Sequence, residues 1–137
     1  MNRQETIYKL EKSFRTVFRK FRHDINNLLG DNLSSNEFIV IKLLLECGPK
    51  RVSDISSELN VSASHITSVT DSLVKKGFVT RVRSENDRRV VEIDITEEGK
   101  EVIGELEIIK TNYMRSRFDQ FSDEELNLFL SLVKKLE

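Results

Sequence analysis

Apolar residues recur at steps of three and four from residue 7 to residue 28, which is the spacing of one face of an α-helix. The positions in this row are Ile7, Leu10, Phe14, Val17, Phe21, Ile25 and Leu28. Gly30 follows the last of them, and glycine is typical of a helix end. The pattern predicts one long amphipathic helix with a broad apolar face.

A second helix is predicted to begin at Ser34, because Glu37 three residues later completes a capping box. Gly48 and Pro49 end it. Its predicted buried residues are Phe38, Ile41, Leu44 and Leu45. Ser53 is the predicted N-cap of a short third helix that turns Ile55 and Leu59 inward.

The next helix follows after only a tight turn. Asn60 and Val61 form the turn, Ser62 is the predicted N-cap, and Gly77 marks the end of the helix. Its predicted inner face consists of Ile66, Val69, Thr70, Leu73 and Val74. Two short helices joined in this way predict a helix-turn-helix.

Residues 78–83 and 90–95 are predicted strands of a hairpin, because apolar residues such as Val91, Ile93 and Ile95 alternate at two-residue spacing and a polar loop joins the two segments. A fifth helix begins at Thr96, with Val102, Leu106, Ile109, Tyr113 and Phe118 along one face. A second capping box, Ser122 with Glu125, starts a last helix that carries Leu126, Phe129, Leu132, Val133 and Leu136. The predicted fold class is mostly α with one small β-hairpin.

The composition is that of a soluble globular protein in a single unit, since 137 residues contain 38% hydrophobic and 33% charged residues. We find no apolar run long enough to span a bilayer and no signal-peptide pattern. The single cysteine, Cys47, is consistent with a reducing cytoplasm and is predicted to be a buried or half-buried structural thiol.

The net charge of −1 does not by itself indicate a nucleic-acid partner, but the charges are unevenly distributed. Residues 50–90 contain eight basic and five acidic side chains, whereas residues 91–137 contain six and twelve. The basic excess therefore coincides with the helix-turn-helix and the hairpin. An imbalance of this size is also ordinary for solvated surface, so charge alone leaves both interpretations open.

The helix after Ser62 has the small, hydrogen-bonding outer face that entry into a DNA major groove requires. The candidate DNA-binding residues on it are Ser62, Ser64, His65, Thr67, Ser68, Ser72 and Lys75. A solvated helix surface is the alternative interpretation.

The hairpin that follows contributes the arginines Arg81, Arg83, Arg88 and Arg89. An arginine at a narrow loop tip suits the electronegative minor groove. Asp87 would repel phosphate, so we expect it to orient a neighbouring arginine through a charge-assisted hydrogen bond. The alternative is an exposed salt-bridge cluster worth about 0–1 kcal/mol.

The chain resembles the MarR family of winged-helix transcription regulators over nearly its whole length. The segments that carry the resemblance are Leu59-Asn60-Val61-Ser62, Leu73-Val74-Lys75-Lys76-Gly77-Phe78-Val79, Asp87-Arg88-Arg89 and Ile95-Thr96-Glu97-Glu98-Gly99. The third matches the family's D-x-R wing signature and the fourth its L-T-x-x-G helix start. This sequence has Ser68, Val90 and Ile95 where many members have an arginine, a small polar residue and a leucine.

The resemblance implies a homodimer on a near-palindromic operator in double-stranded DNA. Residues 1–32 and 97–137 would form the dimerisation helices and residues 34–96 the winged-helix lobe, with Arg89 in the minor groove and Asp87 as its orienting partner. The expected dimer contacts are Ile7, Leu10, Phe14, Val17, Phe129, Leu132, Val133 and Leu136. The resemblance also implies release from DNA by a small aromatic or lipophilic effector.

Two other functional classes are an enzyme and a winged helix that binds only protein. An enzyme is disfavoured because the chain has no nucleophile elbow, phosphate-binding loop or zinc-protease motif. His23, His65 and Cys47 are scattered, so we expect no metal and no cofactor. A winged helix that binds only protein remains the alternative, and its wing arginines would then be solvated or would contact an acidic partner.

Overall fold

The computed structural model describes residues 1–137 as six helices and one antiparallel hairpin. The elements are α1 (Arg3–Leu29), α2 (Ser35–Cys47), α3 (Val52–Leu59), α4 (Ala63–Lys75), β1 (Val79–Arg83), β2 (Val91–Ile95), α5 (Glu97–Arg117) and α6 (Asp123–Lys134). The predicted fold class is therefore confirmed. No helix has the length and apolarity needed to cross a membrane.

The predicted caps of α2, α4 and α6 are confirmed, since Ser34, Ser62 and Ser122 each accept a hydrogen bond from a backbone N–H of the first turn. The predicted start of α5 at Thr96 is also confirmed, and Thr96 caps this helix by accepting from the Gly99 N–H. The predicted cap of α3 is wrong. This helix begins at Val52 with Arg51 as its N-cap and without a side-chain cap, so Ser53 lies within the first turn.

An isolated β-bridge between Lys50 and Ile93 explains that error. The main chain of Lys50 exchanges two hydrogen bonds with Ile93 in β2, at 3.1 and 2.7 Å. These two bonds keep the main chain extended as far as Lys50. The chain can turn into α3 only after that residue, so the helix begins at Val52. This pairing also joins the hairpin to the connection between α2 and α3, and therefore fixes where the wing stands relative to the helix-turn-helix.

The hairpin is one residue shorter on each strand than predicted, and Val79 pairs with Ile95 at one end and Arg83 with Val91 at the other. Val79 and Ile93 are buried, whereas Val91 near the loop is exposed. The strands thus contribute to the core only at the end near α5 and project their loop into solvent.

One apolar core joins α2, α3, α4, the base of the hairpin and the first half of α5. Its fully buried members include Leu33, Ile41, Leu44, Ile55, Ile66, Leu73, Ile93 and Ile103. Two burial predictions are wrong: Leu45 is 46% exposed and Cys47 is exposed as well. Leu45 shares a helix face with the buried Phe38 and Ile41, but it lies in the last turn of α2 and is left uncovered there.

The long N-terminal helix and the last helix keep much of their apolar surface exposed in the single chain. Among the predicted dimer contacts, Ile7, Leu10, Val17, Phe129, Leu132 and Leu136 are exposed, while Phe14 and Val133 are half-buried. Contiguous exposed apolar surface of this kind is unusual for a monomer and typical of an interface.

The start of α5 packs against the end of the turn that precedes β1. The Thr96 N–H donates to the Phe78 carbonyl at 3.0 Å, and the Thr96 hydroxyl donates to the Gly77 carbonyl at 2.7 Å. Gly99, in the first turn of α5, is buried against the same segment. A Cβ at residue 99 would overlap the Phe78 carbonyl oxygen and approach the Ile95 side chain to 2.8 Å. The helix can approach this closely only because residue 99 has no side chain.

Candidate nucleic-acid interface

The outer face of α4 presents a row of small polar side chains. Ser62, Ser64, Thr67, Ser68 and Lys75 are exposed, and His65 is half-buried. The Ser62 hydroxyl accepts from the His65 N–H at 3.1 Å, and the Thr67 hydroxyl donates to the Ala63 carbonyl at 3.0 Å. These short side chains let the helix backbone approach another surface closely, and their remaining hydrogen-bonding capacity faces solvent.

Ser72 does not belong to this outward row, although the sequence pattern placed it there. Its side chain is half-buried, and its hydroxyl donates to the Glu37 carboxylate in α2 at 3.0 Å. The structure therefore places Ser72 in a contact between helices, which the sequence pattern did not predict. Sequence periodicity missed this because Ser72 lies at the edge of the helix face, between core and solvent.

Glu37 is the single buried charged residue of the chain, at 5% exposure. Besides the Ser72 hydroxyl, its carboxylate accepts from the Ser34 N–H at 2.8 Å and from the Lys76 ammonium at 2.8 Å. Burial alone raises the pKa of this carboxyl, but the hydrogen bonds from Lys76, Ser34 and Ser72 outweigh burial, and its pKa lies below the ordinary 4.5. Glu37, which completes the capping box at the start of α2, therefore also binds Ser72 and Lys76 at the C-terminal end of α4.

Glu37→Gln is expected to destabilise the fold by about 1–3 kcal/mol at neutral pH, since the Lys76 ammonium loses its charged acceptor. Because the folded pKa of Glu37 is depressed, its ionised form stabilises the protein above about pH 4.5, and this contribution is lost as the pH falls through the folded pKa. Urea unfolding from pH 7 to pH 3 should therefore show a weaker pH dependence for the variant.

Glu125→Gln is the matched control, because Glu125 occupies the same position in a capping box whose residues are exposed. A smaller loss of stability than for Glu37→Gln is expected for this variant, because its capping box is exposed to solvent. Equal losses for the two variants would contradict the assignment of the pH dependence to the buried carboxylate.

The wing loop, residues 84–90, is closed by hydrogen bonds of its own. The Ser84 N–H donates to the Val90 carbonyl at 2.9 Å, and the Val90 N–H donates to the Asp87 carbonyl at 3.0 Å. The Arg83 guanidinium donates to the Arg88 carbonyl at 2.7 Å and so spans the loop from its base. These contacts give the loop tip a defined shape without burying it.

Asp87 and Arg89 form a fork at the tip. The Asp87 carboxylate accepts from the Arg89 backbone N–H at 3.0 Å and from its guanidinium at 3.2 and 3.3 Å. These side-chain and backbone hydrogen bonds hold the pKa of Asp87 below its ordinary value, so the carboxylate is ionised at neutral pH. The Arg89 side chain is nevertheless 91% exposed.

The four wing arginines are therefore not equivalent. Arg81 pairs with Asp71 on α4, a contact that the sequence did not predict, and thereby connects β1 with α4. Arg83 supports the loop main chain. The Arg88 side chain is exposed and makes no hydrogen bond or salt bridge, whereas Arg89 is oriented by Asp87. Only Arg88 and Arg89 present guanidinium groups at the tip itself.

This geometry and the sequence agree with those of known proteins. The sequence model described as the MarR family matches residues 33–91. The HTH-type transcriptional regulator YpoP of Bacillus subtilis is 44% identical over 135 residues, which cover 98% of this chain and 96% of YpoP. The chain belongs to the MarR family. As a member, it is a winged-helix transcription regulator.

Solved structures of other proteins share the architecture. A MarR family protein from Bacillus stearothermophilus is 28% identical, with a TM-score of 0.83 and coverage of 99% of this chain and 95% of that one. FabT of Streptococcus pneumoniae, whose structure is a complex with DNA, is 25% identical, with a TM-score of 0.82 and coverage of 95% and 94%. The likeness extends over all six helices and the wing, beyond the segment that the MarR family model matches.

Proposed function

We propose that this MarR-family regulator acts as a homodimeric repressor on a near-palindromic operator in double-stranded DNA. The observation that carries the proposal is the Asp87–Arg89 fork, which extends an exposed guanidinium beside a helix with a small polar face. A helix and a narrow loop of this kind suit two adjacent grooves of one duplex.

The face of α4 supplies the proposed contact to the major groove. Its hydroxyl groups and the His65 imidazole are able to donate to phosphates or to purine N7 and O6 acceptors. The face contains no arginine, since Ser68 stands where many family members have one. Base readout by α4 therefore depends on hydrogen bonds from short side chains, which require close approach of the helix. The proposed contacts are Ser62, Ser64, His65, Thr67, Ser68 and Lys75.

The wing supplies the proposed contact to the minor groove. Arg89 is the groove residue because Asp87 orients its guanidinium while leaving it exposed, and a narrow minor groove concentrates negative potential. Arg88 is a phosphate contact in this proposal, since it is exposed at the same tip. Arg81 and Arg83 act indirectly, by holding the wing against α4 and by closing its loop.

Two copies are proposed to associate through α1, α5 and α6. The exposed apolar residues on α1 and α6 support this, because a second copy would cover them and place two α4 helices on one face of the dimer. A dimer bound across a promoter excludes polymerase, which favours repression. A small aromatic or lipophilic effector, bound between the dimerisation helices and the lobe, is the proposed signal for release.

DNA binding is tested by titrating a duplex that the wild-type protein itself selects from a randomised library. Because several phosphates are contacted, affinity should fall on the order of 100-fold or more between 50 and 200 mM salt. A scrambled duplex of equal composition should bind more weakly at every salt concentration. Failure to enrich any sequence, or a flat salt response, would instead favour a winged helix that binds only protein.

The dimer is tested by sedimentation equilibrium at micromolar concentration. The wild type should sediment as a dimer, and Leu132→Asp should raise the dissociation constant more than about 100-fold, because two apolar contacts per dimer are replaced by charges. Asn127→Asp is the control, since Asn127 is exposed on the opposite side of α6. A monomeric wild type, or equal effects of the two variants, would contradict the proposed interface.

A further inference from the structure

The recognition helix is held mainly by contacts that have no preferred direction. Ile66, Val69 and Leu73 pack into the core, and apolar packing of this kind tolerates small rotations and sliding. Hydrogen bonds are more restrictive, since they require particular distances and angles. The side chains of α4 and its C-cap form such bonds with other elements at only two places: Asp71 with Arg81, and the contacts of Ser72 and Lys76 with Glu37.

These two places differ in their environment. The side chains of Asp71 and Arg81 are both about half exposed, where solvent weakens an ion pair. Glu37 is buried and its carboxylate is already anchored to the start of α2 by the Ser34 N–H. One oxygen accepts from the Ser72 hydroxyl, and the other accepts from Ser34 and Lys76. Lys76 also donates to the Asn32 carbonyl at 3.3 Å, ahead of α2.

We propose that Glu37 is a specificity-determining positioning residue, which sets the rotation and axial position of α4 without contacting DNA. The proposal rests on the function proposed above. Ser72 lies one helical turn after Ser68, so fixing the Ser72 hydroxyl on α2 also fixes the direction in which the outward row points. Lys76 fixes the C-terminal end of the same helix.

The Glu37 contacts should affect sequence-specific binding of DNA more than non-specific binding. Base-edge contacts from short side chains such as serine and threonine tolerate little displacement, because these side chains cannot extend to follow the base. Phosphate contacts from arginine and lysine depend mainly on charge and adjust to small shifts. Loss of the Glu37 contacts should therefore weaken binding to the preferred sequence while leaving non-specific binding largely unchanged.

The experiment compares wild type, Glu37→Gln and Ser72→Ala by fluorescence anisotropy. The probes are the library-selected duplex and a scrambled duplex of the same composition, each at several salt concentrations. Ser72→Ala removes one hydrogen bond to the Glu37 carboxylate but keeps the capping box and the Lys76 contact. It therefore tests the same role if Glu37→Gln is too unstable to measure. Glu125→Gln is the control for a generic loss of capping. All measurements are made at a temperature where circular dichroism shows each variant to be folded.

Glu37→Gln should reduce affinity for the selected duplex about tenfold, as expected when one base-edge contact of α4 is misplaced, and Ser72→Ala should reduce it about threefold. Affinity for the scrambled duplex and the salt slope should be those of the wild type. A merely structural role would lower binding to both duplexes equally, in proportion to the unfolded fraction.

Two outcomes overturn the inference: an unchanged ratio of selected to scrambled affinity in folded variants, or equal losses for both probes. Either result leaves the proposed function intact as long as the wild type selects and binds a sequence. If the wild type itself shows no sequence preference, the proposed function fails first and the positioning role fails with it.

Discussion

Arg89→Ala is expected to lower the affinity for the selected duplex about 10- to 100-fold, while the fold and the dimer remain intact. The side chain is 91% exposed, so its removal costs the folded state little. In the proposed complex, however, the guanidinium enters the minor groove already oriented by Asp87. An oriented group loses less conformational entropy on binding than a free one, which is why one exposed residue has so large an expected effect.

Three further variants separate orientation from charge. Asp87→Asn keeps the shape of the partner but weakens its hold on Arg89, and an intermediate loss of affinity is expected. Arg89→Lys keeps the charge but not the planar fork, so it should bind more weakly than the wild type. Arg15→Ala makes the same charge change on α1, distant in sequence from the wing, and should bind almost normally. Wild-type affinity of Arg89→Ala would refute the assignment of Arg89 to the minor groove.

Gly99→Ala is expected to destabilise the protein by about 2–3 kcal/mol, although alanine is the better helix former. The added methyl group would overlap the Phe78 carbonyl oxygen and crowd Ile95. That carbonyl accepts the Thr96 N–H, so the start of α5 cannot move away without loss of this bond. The strain should therefore appear as lower stability and as a displaced α5.

Gly104→Ala in the same helix is the matched control, because a Cβ there meets nothing within 4 Å. Helix propensity then acts alone, and a gain of about 0.5–1 kcal/mol is expected. Urea unfolding of the two variants gives the comparison directly. If Gly99→Ala were as stable as Gly104→Ala, close packing at the start of α5 would not be the reason for a glycine there.

The helix starts could be predicted from the sequence wherever the signal is local. Ser34 with Glu37, Ser62, Thr96, and Ser122 with Glu125 all mark helix starts, because a capping side chain bonds a backbone N–H only two or three residues away. Ser53 failed as a cap because a distant contact, the pairing of Lys50 with Ile93, already determined where the chain turns.

The proposed DNA face could be predicted only in part. Asp87 and Arg89 are two residues apart, so their proximity follows from the sequence. Ser72 resembles the other serines of α4 in the sequence, and only the position of Glu37, 35 residues earlier, distinguishes it. Arg81 and Arg83 likewise resemble Arg88 and Arg89 in the sequence, and only the structure shows their partners, Asp71 and the Arg88 carbonyl.

The sequence by itself determined the order of elements, the MarR resemblance and the composition of the wing tip, because periodicity, caps and short motifs act over a few residues. The tertiary structure decided which polar side chains remain available to a partner. Burial and hydrogen bonds between residues far apart in the chain depend on how the helices pack. Packing buried Glu37, held Ser72 against it, and left Arg88 and Arg89 at the surface.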